Sequence, residues 1–164
     1  MKIVIFVIMK ILFLDIDSVM IVYNFKKSDP PRNQFDMVDF DERCVHALND
    51  IYLETNCKIV LSYDHRNDHS LFTLNKIFQY NGCIAEVIGI TPISKKFNSM
   101  DLDNARADEV LMWIENKNID IDKWVAVDDL YLVKDIFKNE MKDHFVYCTT
   151  GIHLVKGKII ELLS

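Results

Sequence analysis

Apolar runs alternate with amphipathic helical patterns from one end of the chain to the other. Residues 11–14 (ILFL) are continuously apolar, which is typical of a strand covered on both faces. This strand is expected over residues 10–14, with residues 1–9 as an N-terminal extension. Four further strands are predicted at residues 58–61, 84–88, 124–127 and 144–148. Strands that alternate with helices through short connections predict an α/β fold: a three-layer, Rossmann-like parallel sheet with helices on both faces.

The helices are predicted from apolar residues spaced three and four apart. Asp41 is the expected N-cap of the first helix, and the second is expected to stop at Asn81-Gly82. Asp103 is expected to open the third, and two short helices are predicted near residues 132–137 and 159–163. Residues 22–40, which hold two adjacent prolines, predict a small flap or loop insert. The whole chain, residues 1–164, is therefore expected to be a single domain with little or no cap.

Composition narrows the classes of protein to which the chain can belong. Half of the 164 residues are hydrophobic and 27% are charged, which excludes a disordered or low-complexity chain. A net charge of −6 argues against a strong nucleic-acid surface or a membrane surface as partner. The apolar N-terminus is interrupted by Lys10 and is too short to span a membrane. Because the four cysteines lack zinc-site spacing, reduced thiols in a cytoplasmic protein are expected.

The candidate chemistry lies where the predicted strands end. In an open parallel sheet, ligands bind beyond the carboxyl ends of the strands. Asp15 and Asp17 follow the first strand, Ser62 follows the second, and Asp128-Asp129 follow the fourth. If these strands are neighbours, four carboxylates share one crevice and repel one another, so they require a cation. Hard oxygen ligands with room for water favour Mg²⁺.

Such an arrangement indicates phosphoryl transfer. An aspartate beside Mg²⁺ can attack phosphorus and form an aspartyl-phosphate. A second carboxylate two residues along can protonate the leaving oxygen and later deprotonate water. A hydroxyl and a cation must hold the phosphoryl oxygens, and these roles are open to Ser62 and to a lysine or arginine from elsewhere in the chain.

Three stretches carry a resemblance to a known superfamily. Residues 11–17 (ILFLDID) resemble the first motif of the haloacid dehalogenase-like (HAD) phosphohydrolases, a strand that ends in Asp-x-Asp. Residues 58–62 (KIVLS) resemble the second motif, and residues 124–129 (WVAVDD) resemble the acidic fourth motif. Residues 87–92 and 106–114 are similar to small, cap-less HAD domains, including those of RNA-repair proteins. The resemblance covers nearly the whole chain.

The resemblance implies a role for each matched residue. Asp15 would be the nucleophile and a Mg²⁺ ligand, and Asp17 the general acid and base, with its backbone carbonyl on the metal. Ser62 would bind the phosphoryl group. The remaining implied site residues are the metal ligands Asp128 and Asp129 and the phosphate-binding cations Arg106, with Lys95 and Lys96 as alternatives, and Arg66.

Two departures from the family pattern stand close to these residues. Ser18 occupies a position where the family has glycine, and Tyr63-Asp64-His65 replace the small residues and tryptophan that usually follow the second-motif serine. An acidic group beside a phosphate lowers affinity for anions unless it points away. The predicted function is hydrolysis of a phosphomonoester, whether a small molecule, a nucleotide or a nucleic-acid end. A binding or regulatory domain with weak turnover, a phosphotransferase and a dehalogenase are the alternatives.

Overall fold

A computed structural model describes residues 8–22, 30–94, 101–116, 119–133 and 139–164. Five parallel strands form one sheet, in the order β3-β2-β1-β4-β5. The strands are β1 (Ile8–Leu14), β2 (Lys58–Leu61), β3 (Val87–Ile90), β4 (Asp120–Asp128) and β5 (Phe145–Tyr147). The helices are α1 (Glu42–Thr55), α2 (Leu71–Tyr80), α3 (Leu102–Glu115), α4 (Asn139–Lys142) and α5 (Lys156–Leu163), with a 3₁₀ turn at Ile152–Leu154.

Each face of the sheet is covered by its own apolar cluster. Leu12 and Leu14 of β1 pack on the side that holds α1, α2 and α5. Ile11 and Phe13 alternate to the opposite side and pack with the buried face of α3. Because both faces of β1 are buried, its continuous apolar run is explained. The predicted three-layer α/β architecture with helices on both faces is confirmed.

Capping residues that can be recognised in the sequence set several of the helix boundaries. Asp41 caps α1 by accepting a hydrogen bond from the Arg43 amide, and α2 stops before Asn81 as predicted. Strand β2 has the predicted bounds, whereas β3 begins at Val87 rather than at residue 84. The Ile84 side chain is 52% exposed, so the apolar run there is not a buried strand. Helix α3 begins at Leu102, one residue before the predicted start at Asp103, and Asp101 is its N-cap.

Parts of three predictions lie outside the described residues. These are most of the N-terminal extension, residues 23–29 of the flap and residues 134–137 of the predicted short helix. The described residues that follow this region form the short helix α4 at Asn139–Lys142. All four cysteines are buried and none is in a disulfide. Among the described residues, no helix combines the length and apolar character needed to cross a membrane.

The turn after β1 adopts a backbone conformation that glycine tolerates best. Ser18 has a φ of 62°, in the left-handed region, where a Cβ atom is crowded. Its amide donates to the Ile21 carbonyl at 3.1 Å, and its own carbonyl accepts from the Gly151 amide at 2.9 Å. Gly151 is itself at φ 103°, and a Cβ there would lie 2.6 Å from the His153 ring. The turn that follows Asp15 is therefore held by backbone hydrogen bonds in a conformation that strains Ser18.

We expect Ser18→Gly to stabilise the protein. A residue with a Cβ in the left-handed region costs roughly 1–2 kcal/mol, and the greater freedom of glycine in the unfolded chain offsets part of the gain. The free energy of unfolding, measured by chemical denaturation, should rise by about 1 kcal/mol. Asn56→Gly is the matched control, since Asn56 also has a left-handed φ of 55° but asparagine tolerates it better. A Ser18→Gly protein that gains no more than Asn56→Gly would contradict the assigned strain.

Candidate active site

The register of the central strands brings the predicted site residues to one edge of the sheet. Leu14 of β1 is paired with Leu61 of β2 and with Val127 of β4. The next residue in each strand's path is a polar one, namely Asp15, Ser62 and Asp128. Backbone hydrogen bonds extend the ladder into the site: the Asp15 amide donates to Val127 at 3.1 Å and the Ser62 amide to Leu14 at 2.9 Å.

Three carboxylates converge at this edge. One oxygen each from Asp15, Asp128 and Asp129 lies within 4.8 Å of the others, a spacing that one divalent cation can bridge. Asp15 is 4% exposed and Asp128 is 2% exposed, so water screens their repulsion only weakly. The Leu130 amide donates to Asp128 Oδ1 at 2.9 Å and fixes the orientation of that carboxylate. The cluster is compatible with a metal site.

Burial dominates the electrostatics of the cluster. It raises the pKa of Asp128 to about 7, although the neighbouring Arg106 lowers that pKa in part. Burial, together with the charge of Asp128, raises the pKa of Asp15 well above its usual value. Both shifts mean that ionised carboxylates are unfavourable here without additional positive charge. Binding of a cation would supply it.

Arg106 of α3 reaches into the carboxylate cluster and contacts it directly. Its Nη1 atom lies 3.5 Å from Asp15 Oδ1 and 3.4 Å from Asp128 Oδ2, and it also donates to the Ser62 carbonyl. The Nη2 atom is paired with the carboxylate of Asp64. The Nε atom lies 3.6 Å from Glu109 Oε2. Every nitrogen of this guanidinium therefore faces an acceptor.

The hydroxyl of Ser62 is buried and has no hydrogen-bond partner. Buried hydroxyls are normally satisfied, so an unpaired one at the edge of a carboxylate cluster indicates a place for a ligand atom. The Ser62 carbonyl, in contrast, is bound by Arg106. Arg106 thus fixes the backbone of Ser62, while the Ser62 hydroxyl forms no hydrogen bond within the protein.

Arg66, a predicted phosphate ligand, is fully buried and makes its contacts with the protein itself. Its guanidinium donates to the carbonyls of Tyr63 at 2.6 Å, Thr91 at 2.9 Å and Pro92 at 3.0 Å. It also pairs with Glu109 Oε2 at 2.6 Å. These contacts tie the segments that follow β2 and β3 to α3. Direct contact of Arg66 with phosphate stays a prediction that this geometry does not favour.

Asp17 lies apart from the three converging carboxylates, and its side chain is exposed. Partial burial raises the pKa of Asp17, while the charge of His65 opposes the shift. An acid that keeps its proton to higher pH near the carboxylate cluster is suited to proton donation. The alternative cations Lys95 and Lys96 lie outside the described residues.

Sequence reasoning left two contributors to this site unassigned. Glu109 is completely buried and serves as counter-ion to both Arg66 and Arg106. Its spacing of three residues from Arg106 on a helix was the available signal. Asp64 was recognised as a departure from the family pattern, but only the structure shows that it contacts Arg106.

A parallel sheet with acidic strand ends around one cation-sized gap is the arrangement expected of a HAD-like domain. A family model described as the HAD domain in Swiss Army Knife RNA repair proteins matches residues 11–156, and the chain belongs to this family. The resemblance to cap-less HAD domains of RNA-repair proteins is thereby confirmed. Comparisons with curated proteins and with solved structures found no match.

We expect the metal-free protein to be less stable at about pH 8 than at about pH 6. Because the pKa of Asp128 is raised from 3.8 to about 7, the folded state holds a proton that the unfolded state has released between those values. Stability contributed by that proton is lost as pH rises through the folded pKa. Mg²⁺ should restore it by binding the ionised carboxylates.

Melting temperatures at both pH values, in chelator and in excess Mg²⁺, measure this effect. Asp128→Asn is the control, because an amide neither ionises nor repels Asp15. The wild-type protein in chelator should lose more stability on raising the pH than Asp128→Asn does. Identical pH dependence in the two proteins would refute the role given to Asp128.

Proposed function

We propose that this protein is a Mg²⁺-dependent phosphohydrolase that cleaves a phosphomonoester through an aspartyl-phosphate on Asp15. The observation that carries the proposal is the convergence of Asp15, Asp128 and Asp129, with ligand oxygens within 4.8 Å of one another. The family match supports a phosphohydrolase-type fold around these residues.

The residues present fit a magnesium ion and a phosphoryl group. Three carboxylates supply hard oxygen ligands, and Arg106, their cationic neighbour, is shared with Asp64 and Glu109. The unpartnered hydroxyl of Ser62 offers a donor for a phosphoryl oxygen at the same edge. We assign the metal to Asp15, Asp128 and Asp129, with the Asp17 carbonyl as a further ligand. When bound, Mg²⁺ would neutralise the repulsion between the carboxylates and the incoming phosphate.

The chemistry assigned to this chain's residues has two displacements. An Asp15 carboxylate oxygen attacks phosphorus and the bond to the leaving oxygen breaks, while Asp17 delivers its proton to that oxygen. Asp17, now ionised, takes a proton from water as the water oxygen attacks phosphorus. The bond from phosphorus to Asp15 then breaks, which releases inorganic phosphate and regenerates both carboxyl groups. Arg106 and Ser62 hold the phosphoryl oxygens throughout.

Arg66 takes a different part in this proposal from the one that its sequence position implies. Its donors are occupied by three backbone carbonyls and by Glu109. We assign it as a positioning residue that holds the segment after β2, which carries Ser62, Tyr63 and Asp64. Arg106, which has the exposed Asp64 as one of its partners, is then the phosphate-binding cation.

A nucleotide or the end of a nucleic acid is the substrate class that we propose. The family's description names RNA repair, which supports a phosphomonoester that is part of a nucleotide or a nucleic acid. A net charge of −6 argues for recognition of an end rather than of a long backbone.

Replacing the nucleophile should abolish turnover. We expect Asp15→Asn to lower kcat for an aryl phosphate in Mg²⁺ by roughly a thousandfold or more, because an amide cannot form the acyl-phosphate. Asp122→Asn is the matched control: Asp122 is an exposed carboxylate of β4, the strand that ends in Asp128. Release of phosphate at equal rates by Asp15→Asn and by the control would remove Asp15 from the mechanism.

A binding or regulatory domain with weak turnover is the second candidate function, and one contact favours weak turnover. Asp64 occupies the Nη2 atom of Arg106, where a phosphoryl oxygen has to be bound. Among the acidic partners of Arg106, Asp64 is the exposed one, with 58% of its side chain accessible against 6% or less for the others. Asp64 is therefore the partner that a phosphate can displace.

We expect Asp64→Asn to strengthen phosphate binding. Removing the competing charge leaves Arg106 free to pair with the ligand, so the inhibition constant of inorganic phosphate should fall by about three- to tenfold. Competition assays, or calorimetry with beryllofluoride where turnover is absent, measure the change. Asp122→Asn again serves as control. An Asp64→Asn protein that binds phosphate as the wild type does would show that Asp64 does not compete for Arg106.

A further inference from the structure

A cleft of about 660 Å³ adjoins the proposed acid Asp17. Its floor includes Ile16, Asp17 and Ile21, which follow β1, and one wall is formed by residues 30–38. The opposite wall comes from the segment after β2, through Tyr63 and the residues that follow it. The volume falls in the range of roughly 300–1,000 Å³ that is typical of small-molecule sites. We refer to this space as the Asp17 cleft.

The wall over residues 30–38 is held in a defined shape. The Asn33 side chain accepts from the Phe35 amide at 2.9 Å and donates to Asp39 at 2.9 Å. The Asn33 amide donates to the Met37 carbonyl at 2.8 Å, which closes the turn. Phe35 also packs edge-on against Tyr80 of α2, with ring centroids 5.7 Å apart. Phe35 and Met37 are thereby presented to the Asp17 cleft by a pre-formed turn.

Tyr63, one of the described residues that line this cleft, has a buried hydroxyl without a hydrogen-bond partner. Tyr63 is 2% exposed, lines the cleft, and has no hydrogen bond to its phenolic oxygen. Buried tyrosine hydroxyls normally find a partner, so this one indicates a ligand atom. Burial raises the pKa of Tyr63 to about 12, so the group is a neutral hydrogen-bond donor at physiological pH.

Four of the charged or titratable residues that line the cleft form two pairs, and Asp17 and His69 line it as well. Arg32 donates to the Asp36 carbonyl at 2.6 Å and lies 3.7 Å from the Asp36 carboxylate. His65 Nδ1 lies 3.0 Å from Asp68 Oδ2. Beside these groups the cleft offers apolar side chains, the Phe35 ring and the unsatisfied Tyr63 hydroxyl. A bare sugar would bury more hydroxyls than this surface can satisfy, whereas a flat heteroaromatic ring needs few hydrogen bonds.

We propose that the Asp17 cleft binds the nucleobase of the leaving group, with Phe35 and Met37 against its face and the Tyr63 hydroxyl at its edge. The inference rests on the proposed function, which sets the orientation of the substrate. In that orientation the phosphoryl group lies at Asp15 and the leaving oxygen lies beside Asp17. The leaving oxygen belongs to the nucleoside and is protonated by Asp17. The nucleobase then lies beyond Asp17, on the side away from Asp15. The assigned residues determine specificity and take no part in bond making.

Binding of nucleosides that carry no phosphate tests the cleft separately from catalysis. Calorimetric titration of the metal-free protein with adenosine and with cytidine should show binding, and ribose should show none. Tyr63→Phe removes only the hydroxyl and should weaken nucleoside binding by about three- to tenfold. Phe35→Leu keeps the apolar volume but removes the ring, and should weaken it by a similar factor. Tyr52→Phe, on α1 and outside the residues that line the cleft, should bind as the wild type does.

Two sets of outcomes keep the proposals apart. If nucleosides bind and Tyr63→Phe weakens them while no phosphate ester is hydrolysed, the cleft assignment stands and the proposed function fails. If glycerol phosphate and nucleoside monophosphates are hydrolysed with equal kcat/KM and nucleosides bind no better than ribose, the function stands and the cleft assignment is overturned. Nucleoside binding that is unchanged in both Tyr63→Phe and Phe35→Leu also overturns it.

Discussion

Repulsion between buried carboxylates is the constraint around which the carboxyl edge of this sheet is organised. Asp15 and Asp128 are nearly inaccessible to water and are held side by side by the pairing of β1 with β4. Two such charges about 4 Å apart repel by about 4 kcal/mol at an effective dielectric constant near 20. Arg106 offsets part of this repulsion, but it also serves Asp64 and Glu109. The remaining negative charge is what makes a divalent cation fit the site.

The position of Arg106 depends on a second buried ion pair. Glu109, three residues further along α3, faces both Arg106 and the buried Arg66. Arg66 in turn binds carbonyls of two segments, which follow β2 and β3. Breaking a buried pair leaves an uncompensated charge, so the three side chains stabilise one arrangement together. The helix and the two segments are thereby fixed relative to the carboxylate cluster.

The general fold and the converging acids were predictable because each has a local signal. A continuous apolar run such as residues 11–14 signals a strand buried on both faces, and the residue after such a run lies at the ligand-binding edge of a parallel sheet. The start of β3 was not predictable in this way, because Ala85 is buried in a loop and mimics a strand position. The contact of Asp64 with Arg106 joins residues 42 positions apart, and no local pattern encodes it.

The unsatisfied hydroxyl of Tyr63 could not be predicted from the sequence either. Its place after Ser62 was visible, but an unsatisfied hydroxyl is a property of all the atoms around it. Burial of the ring depends on the chain segments that surround it, and their approach is determined by tertiary packing rather than by local propensity. Departures from a family pattern thus mark positions of interest, while the partners of those residues emerge only from the assembled structure.

The hydrogen bonds from Gly151 and Ile152 to the carbonyls of Ser18 and Val19 have a wider consequence. They connect the turn that carries Asp17, the proposed proton donor, to the segment just ahead of α5, more than 130 positions along the polypeptide. Detachment of that C-terminal segment would remove these hydrogen bonds together with core side chains of α5, and the turn that carries Asp17 would lose its support. In the proposed reaction, the orientation of the Asp17 carboxyl group would therefore depend on a segment far from it along the sequence.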